Sequence, residues 1–149
     1  MTKVKTQITI GVAPERVWAT VMDPTRLADW VTIHQSVNVK SADPTREGAR
    51  MDQVLHLRGV PFKVHWTLES VVANREAEWH GRGPALSHAF IHYKLIGNSD
   101  GSTTFIYTNE FSAPGGPLGA VASRVVVGHT PEREARHSLE RLKLLLESD

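Results

Sequence analysis

Apolar and polar residues alternate with period two over most of this chain, and the period lengthens only near its two ends. Val4, Thr6, Ile8 and Ile10 alternate with Lys3, Lys5, Gln7 and Thr9, the pattern of a strand with one buried face. Gly11 ends that run. Pro14 comes next, where a first helical turn tolerates a missing N–H, and Val17, Trp18 and Val21 then recur at helical spacing. Asp23-Pro24 closes this helix and can cap the next, because an Asp side chain accepts orphan N–H groups. The second helix is predicted to be short, over 25–31.

From 34 to 112 the reading is β throughout. Val37 and Val39 share a face, and Asp43-Pro44 and Glu47-Gly48 mark turns. Met51, Gln53, Leu55 and Leu57 alternate with Arg50, Asp52, His56 and Arg58. A turn at Gly59-Val60-Pro61 leads into Phe62, Val64, Trp66 and Leu68, which alternate with Lys63, His65, Thr67 and Glu69. Asn74-Arg75 is a tight connection into Ala77 and Trp79, and Tyr93 and Leu95 share a face opposite Lys94. Asn98-Ser99-Asp100-Gly101 is a hairpin signal. Beyond it Phe105, Tyr107, Asn109 and Phe111 share a face opposite Thr104, Ile106, Thr108 and Glu110. Gly81-Arg82-Gly83-Pro84 and Pro114-Gly115-Gly116-Pro117 have loop chemistry. From Leu118 the pattern turns helical: Ala135, Leu139, Leu142 and Leu146 form an apolar stripe, with Glu132, Arg136, Glu140, Arg141 and Lys143 around the other side. Gly128 and Pro131 predict a kink or break there. The order β-α-α, six strands, helix argues an α+β fold with an antiparallel sheet. No repeat or linker is visible, and 149 residues suit one domain over 1–149.

Composition narrows the function classes. A hydrophobic fraction of 40% and a charged fraction of 22% are ordinary for a globular protein. With 17 basic against 16 acidic residues the formal charge is +1, so no nucleic-acid partner is expected. The absence of cysteine excludes disulfides, thiolate catalysis and Cys-based metal sites. The N-terminus has no signal-peptide apolar region and no apolar stretch is long enough to span a bilayer. A cytoplasmic protein without stable membrane insertion is the expectation.

If the charged residues face solvent, the opposite sheet face presents Met51, Gln53, Leu55, Val64, Trp66, Trp79, Ile91, Tyr93, Phe105, Tyr107, Asn109 and Phe111. Its few polar groups must find partners, buried water or a ligand. His88 and His92 are four apart, which on a strand separates them by roughly 13 Å, too far to share one ion. Their parity with Lys94 puts them outside, and His34, His56, His65, His80, His129 and His137 mostly sit at exposed positions by the same reasoning. No metal and no cofactor is expected. Asp52, Glu69, Glu78 and Glu110 also fall outside, so no inward carboxylate pair is present, nor is there a nucleophile elbow or phosphate loop. The inner sheet face then holds no Asp, Glu, Arg, Lys or His, which counts against efficient acid–base chemistry. Phe90, outward by parity, reads as a dimer or edge contact or as local packing.

The opening Ala13-Pro14-Glu15-Arg16-Val17-Trp18 and Asp23-Pro24-Thr25-Arg26-Leu27-Ala28-Asp29-Trp30, with alternating strands and a long last helix after them, resembles the START-like (SRPBCC) superfamily. That superfamily includes polyketide cyclase/dehydrase-type lipid-transport proteins. The resemblance covers nearly the whole chain. It implies a helix-grip fold: a curved antiparallel sheet of about seven strands, two short helices after the first strand, and a long C-terminal helix enclosing a cavity. It also implies that Trp30 stands at the cavity entrance and that the inner-face residues line the cavity, with Tyr93, Tyr107, Asn109 and Gln53 as polar anchors. Trp18 reads as packing. Three functions are then expected. The leading one is binding or transport of a hydrophobic small molecule (lipid, polyketide or aromatic metabolite) by a monomer or weak homodimer. The second is a polyketide aromatase/cyclase or dehydratase, with Tyr107 or Tyr93 as acid and Trp66 or Trp79 shaping the pocket. The third is a protein–protein interaction module.

Overall fold

The computed structural model describes residues 2–57, 59–112 and 130–148. The elements in chain order are β1 (Thr2–Ile10), α1 (Pro14–Val21), a 3-10 turn (Pro24–Arg26), α2 (Leu27–Trp30), β2 (His34–Val39), β3 (Arg50–Leu57), β4 (Val60–Val72), β5 (Glu76–Arg82), a second 3-10 turn (Pro84–Leu86), β6 (His88–Gly97), β7 (Thr103–Ser112) and α3 (Thr130–Glu147). The seven strands form one antiparallel sheet in the order β1-β7-β6-β5-β4-β3-β2. The chain therefore leaves one sheet edge after β1, crosses through α1 and α2, and re-enters at the opposite edge. α+β architecture and a helix-grip layout are thus as expected from the sequence.

Local chemistry explains most boundaries. Pro14 occupies the first turn of α1, whose Val17, Trp18 and Val21 are buried. Asp23 Oδ1 accepts from Thr25 N at 3.0 Å and Thr25 Oγ1 at 2.7 Å, capping the segment from Pro24 to Trp30. That segment is a 3-10 turn and a short α-helix rather than the single helix expected over 25–31. At the β6–β7 hairpin Asp100 Oδ1 takes hydrogen bonds from Ser102 N and Oγ, and Gly101 adopts φ +88°.

Three sequence expectations are corrected. Val60 and Pro61 are not turn residues: they pair with Leu57 and His56 as the start of β4. Gly81 and Arg82 are not loop but the end of β5, opposite Ala89 and His88. Alternation is broken by two bulges. Gln35 is inserted between the pairs His34↔Leu55 and Ser36↔Val54, and Glu69 between Leu68↔Trp79 and Ser70↔Glu78. Each extra residue reverses the parity beyond it. His34 is thereby turned to the inner face.

α3 packs against β1 and α2. Leu139, Leu142 and Leu146 enter a core shared with Ile10, Val17, Leu68 and Phe105. Pro131 lies in the first turn of α3. The break expected at Gly128, the loop at 114–117, the helical onset at Leu118 and His129 lie outside the described residues. No helix among the described residues is long and apolar enough to cross a membrane.

Candidate functional site

Between the inner sheet face, α2 and α3 lies a cavity of about 420 Å³, within the range that holds small molecules. Its wall collects side chains from nearly every element. α2 gives Trp30; β3 gives Met51, Gln53 and Leu55; β4 gives Val64 and Trp66; β5 gives Trp79. β6 gives Ile91 and Tyr93, and β7 gives Tyr107, Asn109 and Phe111. Period-two alternation is why one face of five strands converges here. Phe105, from the same face, is not in the wall. It is wholly buried beneath Trp30 and Tyr93, with ring centroids 6.3 and 5.2 Å away. Trp30 is likewise no entrance residue: it is 1% exposed and forms the inner wall. Trp18 is core, outside the wall.

Gly81 shapes the floor. A Cβ at this position would stand 2.5 Å from Val64 Cγ1 and 2.7 Å from the Trp66 ring. Only glycine leaves the Trp66 indole room to lie flat across β5.

The polar wall groups fall into three sets. Gln53 is satisfied at both ends. Its Oε1 accepts from Trp66 Nε1 at 2.9 Å, and its Nε2 lies 2.8 Å from His34 Nδ1. The orientation that serves Trp66 makes Nε2 the donor, so His34 Nδ1 is the acceptor and its proton sits on Nε2. Burial pushes the His34 pKa below its ordinary value, in keeping with a neutral ring. The second set is the tyrosines. Tyr107 OH accepts from Asn109 Nδ2 at 3.2 Å. Burial pushes its pKa up to about 12 and that of Tyr93 well above the usual range. Tyr93 OH has no hydrogen-bond partner among the described residues. The Trp30 indole N–H, fully buried, also has none. Such an unmet donor costs about 1–3 kcal/mol.

The third set was not visible in the strand pattern. α3 brings Glu134, Ala135, Ser138 and Leu139 to the wall. Glu134 Oε2 accepts from Thr32 Oγ1, and Thr32 N donates to Ser138 Oγ at 3.0 Å. The cavity thus has a carboxylate, contrary to the inventory of the sheet face alone, and His88 stands at its edge. Glu134 and Ser138 are four apart, each one residue before the apolar stripe of Ala135 and Leu139. That spacing was the available signal. Val60, Pro61, Pro84 and Ala85 also line the cavity.

Of the two histidines expected outside, His92 pairs with Glu76 on the outer face, whereas His88 also reaches the cavity wall. His88 Nδ1 lies 2.8 Å from His80 Nε2, and His80 stacks on Phe90, so Phe90 has a local partner. His92 Nε2 lies 2.6 Å from Glu76 Oε1. Glu76, Glu78 and His92 offer three ligand atoms within 4.8 Å of one another, an arrangement able to hold a divalent ion but equally an ordinary surface ion pair.

A seven-stranded antiparallel sheet gripping a C-terminal helix around an apolar cavity defines a START-like hydrophobic-ligand-binding fold. The sequence matches the polyketide cyclase / dehydrase and lipid transport family over residues 1–147, and the chain belongs to that family. The structure is similar to the ZhuI aromatase/cyclase from Streptomyces sp. R1128, with TM-score 0.81 and 14% identity over 98% of this chain and 93% of that one. It is also similar to a START superfamily protein from Mycobacterium smegmatis, with TM-score 0.76 and 10% identity over 98% and 97% of the two chains. Among curated proteins, one named Toxin Rv0910 from Mycobacterium tuberculosis H37Rv is 28% identical over 68 residues, 46% of this chain. That match spans 47%, about half, of the relative's length.

Proposed function

We propose that this protein binds a hydrophobic small molecule, a lipid, polyketide or aromatic metabolite, inside its cavity, and carries or sequesters it. The observation behind this reading is the cavity of about 420 Å³, walled mostly by apolar and aromatic side chains. Burial of such a ligand's apolar surface is worth roughly 25 cal/mol per Å². The proposal takes the protein as one cytoplasmic ligand-binding domain, monomeric or weakly dimeric, with no nucleic-acid partner.

The cyclase or dehydratase reading draws on Glu134, which puts an ionisable group on the wall. Against it, the two tyrosines hold their protons too tightly at neutral pH to serve as efficient acids. Binding is therefore favoured over catalysis.

Titration with the neutral dye Nile red tests the proposal. Wild-type protein should give saturable fluorescence enhancement. Ala135→Trp, which fills the cavity from α3, should lose it while keeping the wild-type far-UV circular dichroism. Enhancement that survives Ala135→Trp, or none with the wild type, overturns the reading. Extraction of protein purified from its own host, followed by mass spectrometry, then names the natural compound. Loss of water from that compound on incubation would select the enzyme.

A further inference from the structure

We propose that the ligand is uncharged and carries a hydrogen-bond-accepting carbonyl oxygen, as a ketone, lactone or quinone does, and that carboxylate amphiphiles are turned away. This rests on the proposed function, in which the cavity takes a hydrophobic small molecule.

Two donors in the cavity wall are unspent among the described residues. They belong to Tyr93 and Tyr107. Their rings are neighbours, with centroids 5.9 Å apart. The Trp30 N–H also meets no acceptor, but it is sealed off from the cavity and takes no part. The Tyr93 hydroxyl has no partner among the described residues. Tyr107 takes a hydrogen bond from Asn109 Nδ2 and keeps its own proton to give. Buried donors in folded proteins almost always find acceptors, and the described residues supply none here. Gln53, the other polar group nearby, is not a competitor, since Trp66 and His34 occupy its two ends. An oxygen that accepts without donating completes this set. Burial keeps both tyrosines protonated, and so donors, across the physiological range.

Charge sets the second half. Among the described residues the wall holds no Lys or Arg, while Glu134 contributes a carboxylate. An anionic head group entering here loses its hydration, finds no lysine or arginine in this wall, with only His88 at its edge, and meets the carboxylate of Glu134. A neutral carbonyl carries neither cost.

Three near-isosteres separate these terms: naphthyl methyl ketone, ethylnaphthalene and naphthoate, each competed against Nile red on the full chain. The ketone should bind about fivefold or more tighter than ethylnaphthalene, the gain of one to two hydrogen bonds. Naphthoate should be the weakest. Tyr93→Phe/Tyr107→Phe removes only hydroxyls; it should bring the ketone down to ethylnaphthalene's affinity while ethylnaphthalene keeps its own, and Nile red, itself a ring ketone, should weaken along with the naphthyl ketone. Glu134→Gln should improve naphthoate selectively. Equal affinities for ketone and ethylnaphthalene, or naphthoate as tight as the ketone, overturn this inference while Nile red binding keeps the cavity reading. Absence of Nile red binding removes both.

Discussion

Position 81 shows how a single atom sets the cavity floor. A methyl group there would enter the space of Val64 Cγ1 and the Trp66 ring, and overpacking of this kind costs about 1–3 kcal/mol. Gly81→Ala should lower the urea midpoint accordingly; an unchanged midpoint would mean that Trp66 yields freely. His34 is the other residue whose contacts dictate its behaviour. Burial lowers its pKa from 6.5, so the unfolded chain takes up the proton first. The stability it contributes is full above pH 6.5 and falls as the pH drops below that value toward the folded-state pKa. Protonation also sets an N–H of His34 against Gln53 Nε2, which must turn and release Trp66. Between roughly pH 7.5 and roughly pH 5.5, the melting temperature should fall and the tryptophan emission should shift. Both responses should shrink in His34→Leu.

At the scale of elements, α3 is held by its apolar stripe, and the polar contacts of its last turn fix only where that end lies. Leu142 is fully buried, and Leu142→Ala should destabilise the protein by about 2–5 kcal/mol in urea unfolding. Glu147 Oε2 accepts from Gly11 N and from Lys143 Nζ, and Lys143 Nζ donates to Thr9 O, each at 2.7 Å. These groups are solvent-exposed, so Glu147→Gln should leave the urea midpoint almost unmoved. A larger effect than that of Leu142→Ala would reverse this ordering. The elements themselves were legible in the sequence wherever one face of a regular structure was buried. Val4 to Ile10, Met51 to Leu57 and Phe62 to Leu68 carry period two, and Leu139, Leu142 and Leu146 carry the helical period. The bulges at Gln35 and Glu69 were not legible. A bulge is fixed by the partner strand's register, which leaves no local mark, and it is why His34 was assigned to the wrong face.

At the scale of the whole molecule, the cavity links binding to stability. A ligand that binds only the folded chain stabilises it by mass action, by about 2.7 kcal/mol at a hundredfold excess over Kd. Nile red should therefore raise the melting temperature of the wild type and leave that of Ala135→Trp unchanged. The sequence by itself determined the α+β class, the order of strands and helices along the chain, and an inner face rich in Trp, Tyr and aliphatic residues, because each depends only on which residues neighbour in sequence seek burial together. Only the tertiary structure decided that β1 pairs with β7, that Phe105 is covered by Trp30 and Tyr93 while Tyr107 faces the cavity, and that Glu134 of α3 meets Thr32 beside α2. Those are contacts between residues up to about a hundred positions apart, and hydrophobic periodicity carries no record of them.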